Sequence, residues 1–227
     1  MIPDLKENGE PLVEIKPIAN KLYIEPQYFL KGIPDSLNKL YLRQEAAKKL
    51  LKALQLLPET MSFILYDGFR PLQVQSFLYR EIKNKIRLEY PHWMADQLEQ
   101  ETLKYVAFPS VENSSPSPHL TGGAIDLTLG DEQGRPLDLG TAFDATEEKS
   151  ATAYFEKHRS ENEAAHINRR ILFHCMTQAG FQNYEEEWWH YDYGNRAWAR
   201  KSNKDQCMYG PIIATIEQNE LKEYQFR

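Results

Sequence analysis

Cysteine is scarce in this chain: 227 residues hold only Cys175 and Cys207. Two thiols cannot build a disulfide scaffold, and their spacing matches no zinc-ribbon pattern. Cys175 falls on the apolar face of an expected helix, so a buried thiol is the plain reading. A 175–207 disulfide is the alternative in an exported protein. Long apolar runs are missing too. None approaches the ~18 residues that a membrane span needs, so no membrane span is expected. A basic excess is absent, since 27 Lys and Arg face 33 Asp and Glu for a net charge of −6. That argues against a nucleic-acid partner. There is no internal repeat and no low-complexity linker. The N-terminus, MIPDLKENGEPLVEIK, carries early acids and no apolar core segment. The expectation is therefore no secretory signal and a cytoplasmic location; a processed periplasmic form would show the same visible sequence.

What is present is ordinary globular composition, with 41% apolar, 26% charged and 12% aromatic residues. At ~150 residues per domain the length allows one large domain or two small ones, and a single domain over 1–227 is expected. Residues 1–40 contain prolines and interleaved aromatics (Tyr23, Tyr28, Phe29), which suggests a wrapping segment with short extended pieces. Residues 43–57 place Ala46, Ala47, Leu50, Leu51, Leu54 and Leu57 at helical spacing before Pro58. The run 62–66 reads as a buried strand followed by a turn at Asp67-Gly68. Pro71 suits a first helical turn, opening a helix to about Lys85 with Val74, Phe77, Leu78 and Ile82 inward. A further helix is expected over 93–106. Three prolines and four serines make 109–118 a loop. A strand is expected over 124–129 and a turn over 130–136. A long helix over 161–179 should bury Ile167, Ile171, Leu172, Cys175, Met176 and Ala179 and stop at Gly180. Strand-like text follows at 187–193, with one more candidate strand at 211–216. Helices and short strands without regular βαβ alternation predict an α+β fold with a small antiparallel sheet flanked by helices.

Three constellations could carry chemistry. In His119-Leu-Thr-Gly-Gly-Ala-Ile-Asp126, the paired glycines permit a backbone fold that returns His119 towards Asp126. Asp126 sits between Ile125 and Leu127, in a segment that otherwise wants burial. A buried carboxylate is costly unless it is paired or binds a metal. The plainer alternative is an aspartate held by backbone amides. In Glu187-Trp-Trp-His190, a second histidine could complete a His/Asp/His set, and Glu187 could act as a general base. Residues three apart on a strict strand face opposite ways, so the chain must bend or end here. The alternative is an aromatic strand with an exposed Glu187. In Asp67-Gly-Phe-Arg70-Pro71, Arg70 sits at a strand-to-helix turn and could stabilise an oxyanion; otherwise it is a surface arginine. His92, His158, His166 and His174 read as structural or solvated. Asn113-Ser114-Ser115 matches a glycosylation sequon that matters only in a secreted eukaryotic protein.

Taken in order, YDGFRP, SPHLTGGAIDLTL, LGTAFD, NRRILFHCM and EWWHY resemble the zinc D-alanyl-D-alanine dipeptidases, within the D,D-carboxypeptidase/hedgehog-type metallopeptidase superfamily. The resemblance covers roughly 20–195 and leaves the tail 200–227 unassigned. It implies one zinc ion held by His119, Asp126 and His190. It implies Glu187 as general base and Arg70 as the oxyanion stabiliser. Tyr23 and Asp144 would capture the free α-amino group of a small D,D-dipeptide, and Ser117 would contact its carboxylate. The implied reaction is hydrolysis of D-Ala-D-Ala. The rivals are a D,D-carboxypeptidase acting on peptidoglycan stem peptides and a zinc-dependent binder without turnover, which would need neither Glu187 nor Arg70. The sequence departs from the family's usual wording at Phe69, where tyrosine is frequent, and at Pro116 and Pro118.

Overall fold

The computed structural model describes residues 2–113 and 115–227; the sequon's Ser114 lies outside the described residues. In chain order the strands are β1 (Asp4–Leu5), β2 (Leu12–Glu14), β3 (Leu22–Ile24), β4 (Tyr41–Arg43), β5 (Met61–Asp67), β6 (Ala124–Asp131), β7 (Gln182–Asn183), β8 (His190–Asp192), β9 (Gln206–Cys207), β10 (Ile212–Glu217) and β11 (Glu220–Phe226). The helices are α1 (Gln27–Leu30), α2 (Gln44–Leu54), α3 (Leu72–Glu89), α4 (Ala95–Thr102), α5 (Tyr154–Lys157), α6 (Glu163–Ala179) and α7 (Arg196–Lys201). The fold is α+β, as expected.

A five-stranded sheet in the order β3-β5-β6-β8-β7 organises the molecule. The expected antiparallel pairing holds except at one edge, where β3 runs parallel to β5. A parallel pair needs a crossover, and the chain between Ile24 and Met61 supplies it through α1, β4 and α2. On β6, alternation sends Ile125, Leu127 and Leu129 into the main core. There they meet Ala46, Leu50 and Ala53 of α2 and Leu172, Cys175, Met176 and Ala179 of α6. Asp126 is thereby turned to the opposite face, which explains a carboxylate inside an apolar run.

Helix α6 opens on Asn162, whose side chain accepts from the Ala165 amide, and stops at Gly180, which has φ 112°. Within the expected helix faces, Leu51 and Ile167 are exposed. Along α3, Gln75, Tyr79 and Ile86 are buried beside Val74, while Phe77, Leu78 and Ile82 are only half-buried. The inward face is thus rotated from the apolar stripe, because α3 lies against both α4 and the site. The helix expected over 93–106 is shorter, Ala95–Thr102. Both cysteines are buried and unbonded. Burial pushes the Cys175 thiol up to about 11.

The tail forms an antiparallel hairpin, β10–β11; its second strand was not expected. One side of the hairpin, with Ile212, Tyr224 and Phe226, joins a small core with Leu12, Phe69 and Leu120. Leu120 follows His119 and Phe69 precedes Arg70, so the hairpin backs two of the candidate segments. Among the described residues no helix is long and apolar enough to cross a membrane.

Candidate metal centre and active site

Asp126 and His190 are register partners on neighbouring strands β6 and β8, so both side chains leave the same face. His119 arrives from a short 3-10 turn, Pro118–Thr121, which ends at Gly122 with φ 70°. That left-handed residue turns the chain straight into β6, the return that the paired glycines allowed. The three side chains are buried, and one donor atom from each lies within 4.8 Å of the others. His119 Nε2 is 3.3 Å from Asp126 Oδ2, and His190 Nδ1 is 3.0 Å from Asp126 Oδ1. The remaining ring nitrogens are occupied. His119 Nδ1 lies 2.8 Å from the Gly68 carbonyl oxygen and 3.3 Å from Asp67 Oδ2. His190 Nε2 lies 3.2 Å from Asp192 Oδ2. These outer partners fix each ring so that its other nitrogen points inward at Asp126, as in metal sites. Burial opposes ionisation of Asp126, but the two histidines outweigh it and hold its carboxyl well below the usual range. Burial also opposes a charge on His190; Asp192 and Asp126 outweigh it and raise the imidazole well above its ordinary value.

Arg70 is buried rather than a surface residue of a turn. A register shift in β5 between Leu65 and Asp67 brings Asp67 opposite Asp126. Such a bulge re-aims side chains beside a site. Arg70 then donates from Nε to Asp67 Oδ2 at 2.8 Å, from Nη1 to Gln75 Oε1 at 2.8 Å and from Nη2 to Asp126 Oδ2 at 3.4 Å. Its guanidinium also stacks 4.6 Å from the Tyr28 ring centre. Burial disfavours its charge, yet Tyr28 and the surrounding aspartates keep it firmly protonated.

The chain turns rather than extends before β8, which begins only at His190. Asn183 donates to the carbonyls of both Glu187 and His190 at 3.0 Å, pinning that turn. Glu187 is half-buried. Burial pushes its carboxyl up to about 7, with Asp126 and Asp144 adding to the rise.

Asp144 lies on a turn in the left-handed region, φ 62°. Its carboxylate accepts from the Tyr28 hydroxyl at 3.2 Å and pairs with Lys31 Nζ at 3.3 Å. Tyr23 is not part of this cluster. Its hydroxyl donates to the Glu132 carbonyl at 2.7 Å, and its ring packs on Gly134. Tyr23 lies on the edge strand β3, whereas α1 carries Tyr28 across to Asp144. Ser117 is buried two residues before His119, but its hydroxyl donates to the Phe108 carbonyl at 2.6 Å. The other histidines lie elsewhere: His158 stacks on Tyr154, and His166 is within 3.2 Å of Glu156.

Sequence reasoning missed Asp67, Gln75, Tyr28, Lys31 and Asp192. Asp192 carried one signal, since it lies two residues after His190 and so on the same strand face. Asp67 and Gln75 lie three and five residues from Arg70 and gain their roles from the local bulge and helix start, while Tyr28 and Lys31 depend on long-range packing.

A family model described as D-ala-D-ala dipeptidase matches residues 21–207. The chain belongs to that family. It is accordingly a hydrolase of the peptidase class. The D-alanyl-D-alanine dipeptidase of Synechocystis sp. is 28% identical over 218 residues, covering 88% of each chain. The D-alanyl-D-alanine dipeptidase of Enterococcus faecium is 35% identical over 159 residues, covering 68% of this chain and 73% of the relative. Among solved structures, the vancomycin resistance D,D-pentapeptidase VanY in complex with Zn(II) is 16% identical with a TM-score of 0.38, covering 75% of this chain and 83% of that one. The family match ends at Cys207, so the β10–β11 hairpin lies beyond it.

Proposed function

We propose that this chain, acting as one catalytic unit over 1–227, hydrolyses D-Ala-D-Ala to D-alanine with one zinc ion. The observation that carries the reading is the buried convergence of His119 Nε2, Asp126 and His190 Nδ1. Two imidazole nitrogens and one carboxylate oxygen suit zinc and leave a fourth position open. Both histidines already have the outer partners that a metal ligand needs. Bound there, zinc would supply a Lewis acid and lower the pKa of a water towards ~7.

The chain's own groups supply the remaining chemistry. Glu187, with its raised pKa, takes the proton of the attacking water and passes it to the leaving amine. Arg70, locked by Asp67 and Gln75, presents a fixed positive charge to the oxyanion. Asp144, with Tyr28 in place of Tyr23, receives the substrate's α-ammonium. Ser117 contacts the substrate carboxylate once its hydroxyl leaves the Phe108 carbonyl.

The test is metal content together with D-alanine release from D-Ala-D-Ala, beside Glu187→Ala. The expected result is about one zinc per chain in both proteins, with turnover at least a hundredfold lower in the variant. Absence of zinc would sink the ligand assignment. Equal rates on an N-acetylated dipeptide would make the protein a D,D-carboxypeptidase instead, because capture of an α-ammonium would then be unnecessary.

A further inference from the structure

The carboxylate assigned to the substrate's ammonium already holds an ammonium from the chain itself. Lys31 follows α1 directly, and its Nζ lies 3.3 Å from Asp144 Oδ2. The same nitrogen lies 5.2 Å from the Phe143 ring centre and 5.6 Å from that of Tyr28. Tyr28 in turn donates its hydroxyl to the other Asp144 oxygen. One anion and two aromatic rings therefore surround a single cation. Such surroundings recognise a primary ammonium by charge and by ring quadrupole, whichever molecule carries it.

The pair can also open. The side chains of Lys31 and Asp144 are 46% and 37% exposed, so water can replace either partner. Exposed pairs of this kind are weak. The end of α1 does not depend on the contact, because the Lys31 amide bonds the Gln27 carbonyl at 2.9 Å and the Gly32 amide bonds Phe29 at 2.9 Å. Asp144, by contrast, sits on a loop pinned from below. Arg169 donates to the carbonyls of Leu139, Ala151 and Lys149, and Trp188 donates to Thr141. The lysine is the movable partner and the carboxylate the fixed one.

We propose that Lys31 is a resident competitor for the substrate's ammonium site: its Nζ fills the Asp144–Tyr28–Phe143 cage in the free protein, and a ligand must bring its own ammonium to displace it. This rests on Asp144 being the ammonium captor, as read above. Lys31 then sets affinity for the dipeptide and selects against ligands lacking a free amine, which cannot compete for the carboxylate.

The experiment is steady-state kinetics of the zinc-loaded protein on D-Ala-D-Ala with Lys31→Met, Lys31→Arg and Asp144→Asn. Removing the competitor should lower KM about two- to fivefold in Lys31→Met, the range of a half-exposed ion pair. Lys31→Arg restores a cation and should return KM to near the starting value. Asp144→Asn should raise KM at least tenfold. An unchanged or raised KM in Lys31→Met, with KM still raised in Asp144→Asn, would overturn the role of Lys31 alone. An unchanged KM in Asp144→Asn would instead overturn the ammonium-captor reading, and the competitor with it.

Discussion

At the scale of single residues, the proposed chemistry turns on Glu187. A carboxyl raised to about 7 is an effective proton acceptor near neutrality, because the bond it forms with the proton is strong enough to matter. A cation bound by His119, Asp126 and His190 would oppose that rise and draw the pKa back towards the ordinary 4.5. If Glu187 is the base proposed, it must be ionised to act, and kcat/KM should fall about tenfold per pH unit below a pKa lying between those limits. A pH–rate profile checks this, and one that stays flat down to pH ~4.5 would remove Glu187 as the base. Arg70 illustrates the other requirement. Three of its five N–H donors are held by Asp67, Gln75 and Asp126, so in the proposed role its charge would need no reorganisation when an oxyanion forms.

At the scale of elements, the site depends on where strands end. The β5 bulge, the 3-10 turn before β6 and the pinned turn before β8 each deliver one group to the same face of the sheet. Gly68 is one tight joint among these. A Cβ there would lie 2.6 Å from the Tyr41 carbonyl oxygen, a backbone atom that cannot swing aside. The Gly68 carbonyl also orients His119. Gly68→Ala should therefore cost about 1–3 kcal/mol of stability and weaken zinc binding about 10–100-fold. Denaturant unfolding and zinc titration would measure the two effects. A stable variant that binds zinc normally would show that the carbonyl does not position the ligand. The β10–β11 hairpin acts at the same scale, packing beneath Leu120 and Phe69 and so behind His119 and Arg70.

At the scale of the whole molecule, the three candidate ligands gathered from residues 119, 126 and 190 come together only in the folded chain. Zinc that binds the native state alone stabilises it by RT ln(1 + [L]/Kd), about 4 kcal/mol at a thousandfold excess over Kd. For a chain of this size that corresponds to a Tm higher by roughly 8–16 °C than in chelator. Calorimetry with and without chelator measures it; equal Tm values would mean the convergent donors bind no metal. The network of Asp126 with the two histidines should keep the metal-free fold intact, so the loss is a lowered Tm and not unfolding at room temperature.

Much of this was written locally. Alternation in β6 put Ile125 and Leu127 in the core and Asp126 on the other face. Glycine at 122 permitted the left-handed step that folds His119 back, and Glu187-Trp-Trp-His190 required a bend that the chain makes. Helix ends at Gly180 and after Pro71 followed from backbone sterics alone. These are properties of neighbouring residues, so the sequence by itself determined them. The tertiary structure decided what distance along the chain conceals. Tyr28 rather than Tyr23 reaches Asp144, 116 residues away, because Tyr28 sits on α1, packed against β5, while Tyr23 stays on the edge strand β3. Lys31 meets Asp144 across 113 residues for the same reason, whereas Asp67 and Gln75 reach Arg70 from only three and five residues away, through the β5 bulge and the first turn of α3. No local periodicity marks these side chains, and for Tyr28 and Lys31 only the packing of distant elements fixes which group meets which partner.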